Sequence, residues 1–162
     1  MDKKESIISK IYASYMNKKN NFDPNTLDAL TRSPELIRPL LTGLDVDDST
    51  MKNIIVTGSK GKGSVCKILT KLFMDNGLKV GTMISPHQVQ HNERIKINNK
   101  DISDSDFVAL SSQLPALLTT IDGQLADNKY ISPMASWASL SLKHFANNNT
   151  DINILECGRG GM

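Results

Sequence analysis

Ile54-Ile55-Val56-Thr57-Gly58-Ser59-Lys60-Gly61-Lys62-Gly63-Ser64 is the stretch on which the fold turns. A short β-branched run stops at a glycine, a loop with three glycines and two lysines comes next, and an apolar-periodic helix begins. Strand, glycine loop and helix in that order make a phosphate cradle. Glycines let successive backbone N–H groups turn toward an anion, and the helix N-terminus adds partial positive charge. Lys62 is placed to reach the terminal phosphates, and the Ser64 hydroxyl to meet a magnesium ion. Gly58, Ser59, Lys60, Gly61, Lys62, Gly63 and Ser64 are therefore the expected nucleotide-binding residues, with ATP and Mg2+ as the ligands.

Working outward, 162 residues suffice for one domain with a sizeable core. Apolar content of 39% and charged content of 22% are ordinary for a globular protein. A net charge of +2 without a long Lys/Arg cluster gives no case for nucleic acid. Cys66 and Cys157 stand far apart with no metal-ligand spacing, which argues against a disulfide framework or a zinc site and favours a reducing cytoplasm. The charged start Met1-Asp2-Lys3-Lys4-Glu5 does not read as a signal peptide, and no apolar run approaches the roughly 20 residues that span a bilayer. The expected setting is cytoplasmic, away from membranes.

Upstream of the glycine loop, residues 1–51 read as a helical prefix, and 52–162 as the nucleotide-binding domain. Ile7, Ile8, Ile11, Tyr12, Tyr15 and Met16 fall at helical spacing. Asp23-Pro24 and Ser33-Pro34 each give a helix start, the second leading into Leu36, Ile37, Leu40 and Leu41. Downstream, Val65, Ile68, Leu69, Leu72 and Phe73 form the stripe expected to face the core, and Asn76-Gly77 ends that helix. Leu78 to Ile84 reads as a strand, Arg94-Ile95-Lys96-Ile97 as a short half-buried one, and Asn98 to Asp101 as a turn.

Ser103 and Asp106 have capping-box spacing, and the helix after them holds Pro115, which should kink or split it. A helix over Met134 to Phe145 and a strand over Asp151 to Leu155 complete the pattern. Alternating strands and helices predict an α/β fold, a P-loop-type and mostly parallel sheet flanked by helices, with the N-terminal helical prefix. Ligands in such sheets bind at the carboxyl ends of strands, where Gly58, Ser85 and Glu156 each come after one.

The loop departs from the common Walker A spacing, because Val56 occupies the position five residues before Gly61-Lys62 where a glycine is expected. Glu156 ends a buried strand, where a magnesium-nucleotide site holds a hard oxygen ligand. Ser85 can donate a further metal oxygen, and Ser85, Pro86 and His87 with Asn92, Glu93 and Arg94 can shape a substrate pocket. His87 and His91 lie in a loop, which removes the zinc option, and His144 near a helix end reads as a partner of the helix dipole. Cys66, in the first turn of the loop helix, is more a packing residue than a nucleophile.

Gly58-Ser59-Lys60-Gly61-Lys62-Gly63-Ser64, Ser85-Pro86-His87, Asn92-Glu93-Arg94-Ile95 and Glu156-Cys157-Gly158-Arg159-Gly160-Gly161 occur in that order. Together they resemble the amino-terminal ATPase domain of folylpolyglutamate synthase/dihydrofolate synthase, of the Mur ligase superfamily, over about residues 25–161. The resemblance implies ATP-dependent amide-bond formation. A small-molecule carboxylate takes the γ-phosphoryl group to become an acyl phosphate, and the nitrogen of an amino acid displaces phosphate. By the same resemblance Lys62 and Glu156 are catalytic, Ser64, Ser85 and Glu156 hold the metal, and the segment from Ser85 to Arg94 borders the acid substrate.

Lys60 stands where that family usually has asparagine, Met134-Ala135 replaces an aromatic–glutamate pair, and Met162 comes after Gly161 in place of arginine. The family's metal-binding histidine, its carbamylated lysine and its amino-acid-binding domain are expected beyond Met162. The chain is thus expected to be a ligase fragment, truncated before its sheet is complete, inactive alone and prone to self-association at an exposed sheet edge. Another P-loop hydrolase or kinase, or a non-catalytic nucleotide-binding module, stays open as an alternative.

Overall fold

The computed structural model describes residues 2–21 and 33–158. In chain order the elements are α1 (Lys3–Lys18), α2 (Ile37–Gly43), β1 (Asn53–Val56), α3 (Lys62–Asp75), β2 (Val80–Met83), β3 (Ile95–Ile97), β4 (Lys100–Asp101), α4 (Asp104–Leu110), α5 (Leu114–Asp122), α6 (Pro133–Asn147) and β5 (Ile152–Glu156). They divide into two compact units, Met1–Val46 with Val108–Leu140, and Asp47–Phe107 with Ser141–Met162. The helix expected at Asp23-Pro24 lies outside the described residues.

The first unit is helical. Asp2 caps α1 by accepting the Lys4 amide, and Ile7, Ile8 and Ile11 point into the unit's core. α1 and α2 both pack on α5, whose Leu114, Leu118 and Ile121 are buried. Ser14, itself buried, accepts the Ile131 amide at 2.8 Å and donates to Asp122, so one hydroxyl joins α1 to α5 and to the segment before α6. Pro115 resolves as a split: it sits in the first turn of α5, where its missing N–H costs nothing, and α4 has already ended at Leu110.

The second unit is a five-stranded sheet in the order β1-β5-β2-β3-β4. β1, β5 and β2 run parallel, as the α/β pattern requires, and β3 and β4 extend them antiparallel. β4 is an addition to the expected turn. Asn98 and Asn99 take φ of 49° and 62°, the left-handed pair that closes a two-residue hairpin, and Ile97 pairs with Lys100.

α3 corrects one expectation. Of the stripe Val65, Ile68, Leu69, Leu72 and Phe73, only Leu69 and Phe73 pack against the core; Val65, Ile68 and Leu72 are exposed, Ile68 by 66%. The buried positions are Cys66 and Thr70. Small side chains let the helix lie close to the sheet, and the Thr70 hydroxyl, which bonds the Cys66 carbonyl, also meets Thr82 Oγ1 of β2 at 2.7 Å. Val56, Cys66, Val80 and Ile154 form the cluster beneath it. On the other face the sheet has no room at Gly81, where a Cβ would lie 2.6 Å from both Asn153 Oδ1 and the Phe145 ring.

Candidate functional site

The parallel register sets Val56 level with Glu156, and Met83 level with Leu155, so β1, β5 and β2 end side by side. The segments that leave these three strand ends therefore meet in one place, all of it within the second unit. After β1 the chain passes through Gly58 at φ 145° and Gly61 at φ 76°. A Cβ on Gly61 would touch nothing within 4 Å, so the backbone conformation, not crowding, requires glycine there. Gly61 is the residue before α3, and Lys62, Gly63 and Ser64 form the first helical turn, where backbone amides lack intrahelical acceptors.

Ser59 and Lys60 are exposed in the loop. Lys62 turns back over it, its Nζ donating to the Gly58 carbonyl at 2.9 Å.

Glu156, the last residue of β5, is only 6% exposed. Its Oε2 accepts the Ser85 backbone amide at 3.1 Å and lies 3.7 Å from where a Cβ on Gly63 would be. One carboxylate thus bonds the residue after β2 and lies beside the start of α3. Its donors suit magnesium: a carboxylate from Glu156 and hydroxyls from Ser64 and Ser85 are hard oxygens, and phosphates and water ordinarily complete the shell. Among the described residues no three His, Cys, Asp or Glu side chains cluster as a separate metal site.

Between β2 and β3 the segment from Ser85 to Arg94 is held by its own polar residues. The Glu93 carboxylate accepts the amides of Gln88, Val89 and Gln90 at 2.8, 2.9 and 2.9 Å, and those bonds hold its pKa below the usual carboxylate value. Pro86 is exposed and is preceded by a cis peptide bond, while His87 is half-buried with its ring 4.1 Å from that of His91. Burial first, and the Arg94 charge second, push the His87 pKa down.

Asn92 is buried and directs its amide away from the loop, to the Ile102 carbonyl at 2.6 Å and Asp104 Oδ1 at 2.8 Å; its own Oδ1 has no protein partner. Arg94, 7% exposed, donates from Nε to His87 Nδ1 at 2.9 Å and reaches Ser85 Oγ from Nη1 at 3.5 Å. The clamp by Glu93 forms a capping box with Gln90 in the structure, but glutamine is not among the Ser, Thr, Asp or Asn residues that mark one in sequence. The inward turn of Arg94 had no sequence signal either.

Two side groups settle differently. Cys66 is fully buried, and burial together with the Glu156 charge pushes its thiol up to about 11, so it is a packing residue. For His144, near the end of α6, burial lowers the pKa against the opposing pull of Asp106, which weakens the case for a charged partner of the helix dipole. Arg159, Gly160 and Gly161 lie outside the described residues. No described helix is long and apolar enough to cross a membrane.

No family profile matches the sequence. The chain is 37% identical over 124 residues to the mitochondrial folylpolyglutamate synthase of Cricetulus griseus, covering 74% of this chain and 20% of that protein. Among solved structures, the apo form of L. casei FPGS superposes with a TM-score of 0.76 at 25% identity, over 98% of this chain and 36% of the other. Mycobacterium tuberculosis folylpolyglutamate synthase, solved with ADP and AMPPCP, gives a TM-score of 0.73 at 26% identity, over 93% of this chain and 33% of the other. The chain spans between about a fifth and about a third of the length of these proteins. In sequence and in fold, the chain is similar to one part of these folylpolyglutamate synthases.

Proposed function

We propose that this chain is the nucleotide-binding portion of an ATP-dependent ligase that joins a folate-type carboxylic acid to an amino acid. The observation that carries it is the placing of Glu156 between the Ser85 amide and the first turn of α3, beside a loop whose glycine conformations suit a phosphate. The relative solved with ADP and AMPPCP supports nucleotide as the ligand. Amides at the start of α3 bind phosphate oxygens, and Lys62 steadies the γ-phosphoryl group as it moves to the acid's carboxylate oxygen, ADP leaving. The amine then attacks the acyl carbon and phosphate departs.

Magnesium, when bound at Ser64, Ser85 and Glu156, neutralises charge on the phosphate oxygens. The segment from Ser85 to Arg94 borders the acid, with Pro86 and His87 toward it and Asn92, Glu93 and Arg94 holding its shape. Free Cys66 and Cys157 support a reducing compartment such as the cytoplasm.

The β1 edge supports self-association as well. Carbonyls of Lys52 and Val56 accept amides from the β5 side, so the polar groups of Asn53 and Ile55 alternate outward, and Ile55 is exposed. Calorimetry with ATP and magnesium tests nucleotide binding, and release of ADP on adding folate and glutamate tests turnover. Absence of ATP binding at millimolar nucleotide would overturn the proposal. Sedimentation at rising concentration tests association.

A further inference from the structure

Arg94 is buried inside the segment from Ser85 to its own position, and its Nε–H donates to His87 Nδ1 at 2.9 Å. A guanidinium carries five N–H donors, has no acceptor and does not lose its proton in proteins. The ring nitrogen that faces it must therefore hold a lone pair. An imidazolium has none, and a neutral imidazole has one proton to place, so that proton sits on Nε2.

A flipped ring would set a carbon against the guanidinium and lose the bond, so ring orientation and tautomer are fixed by one contact. The contact is itself braced. Arg94 Nη1 reaches Ser85 Oγ at 3.5 Å, and Glu93 holds the amides of residues 88–90 between the two partners.

We infer that Arg94 is a positioning residue which holds His87 as the neutral Nε2–H tautomer, so that His87 meets the acid substrate as a hydrogen-bond donor. The ligand atom it suits is an acceptor, such as a carbonyl or carboxylate oxygen or an unprotonated ring nitrogen. A donor N–H at that point is repelled. The Arg94 role stands on geometry alone, whereas the substrate's part in it rests on the proposed function of the segment.

Long-range 1H–15N correlation of the 15N-histidine-labelled chain at pH 8 reads the tautomer directly, with His91→Gln and His144→Gln supplying the assignments. The expected spectrum gives His87 a lone-pair-type Nδ1 and a protonated Nε2 with no averaging. Arg94→Met is expected to move both nitrogens toward averaged values, and Arg94→Lys, which still donates, to restore part of the difference. A protonated Nδ1 in the parent chain overturns the inference whether or not the variants fold. An unchanged His87 spectrum in folded Arg94→Met overturns it as well.

Adding folic acid with ATP and magnesium then reads the other half. A shift at His87 Nε2 supports the donor role toward substrate. A silent Nε2 beside an intact tautomer removes the substrate assignment of the segment and leaves the Arg94 role standing.

Discussion

Glu156 Oε2 accepts the backbone N–H of Ser85 at 3.1 Å, a bond between residues 71 apart that fastens the end of β2 to the end of β5. Because an amide donor is already paired with one carboxylate oxygen, Glu156 is held in place before any ligand arrives. Glu156→Gln keeps an oxygen that can accept this amide and removes the charge. It should leave the fold intact while abolishing the magnesium dependence of ATP affinity, which calorimetry with and without the metal will read.

Lys62→Ala should weaken ATP binding by roughly 10- to 100-fold, the value of one or two charge-assisted contacts to phosphate. Lys60→Ala, in the exposed part of the loop, should cost less. Equal losses in parallel titrations would remove the distinction drawn between the two lysines.

Gly81→Ala should destabilise the chain by about 1–3 kcal/mol, as overpacking does in a filled core. The added methyl meets Asn153 Oδ1 and Phe145 at 2.6 Å. Gly61→Ala faces open space but must adopt φ of 76°, at a cost of about 1–2 kcal/mol. Urea unfolding of both variants separates crowding from backbone strain, since only Gly61→Ala is expected to weaken nucleotide binding also.

Stability should fall on mild acidification. His144 has a pKa lowered by burial from 6.5, so the folded chain takes up its proton less readily than the unfolded one. The contribution is present above the unfolded value and is lost as pH falls from about 6.5 through the lowered folded value. His87, lowered for the same leading reason, adds in the same direction. His144→Gln should flatten the pH profile of the urea midpoint below neutrality.

Cys66 predicts the opposite edge of the stability range. Its thiol ionises near 9 when unfolded and about 11 when folded, so stability present below 9 declines above it. At pH 8 iodoacetamide should leave Cys66 unmodified in the native chain and label it in urea.

Most of the fold was legible because glycine, proline and asparagine mark its boundaries: Gly77 at φ 80° closes α3, Asn98 and Asn99 close the hairpin, and Pro115 divides α4 from α5. The rotation of α3 was not. Hydrophobicity alone favours burying Val65, Ile68 and Leu72, whereas close approach to the sheet and the Thr70–Thr82 hydroxyl contact select Cys66 and Thr70. The candidate site divides in the same way. Gly58, Ser85 and Glu156 could be brought together from sequence because each comes at the end of a strand of one parallel sheet. The inward course of Arg94 could not, because a charged residue at the start of a short strand looks solvent-facing until His87 and Ser85 are placed beside it in space.

The Lys62–Gly58 contact gives the cation of the glycine loop a resting partner within the protein. Under the proposed function, phosphate binding would be an exchange: the ammonium would leave a neutral carbonyl 2.9 Å away and take an anion in its place. Part of the side chain's rotational freedom has been lost beforehand, which lowers the entropic cost of engagement, while the bond given up trims the enthalpy. A loop arranged in this way should show a binding heat smaller than a count of its contacts with phosphate would suggest, and a rate of closure set by one short swing of a lysine.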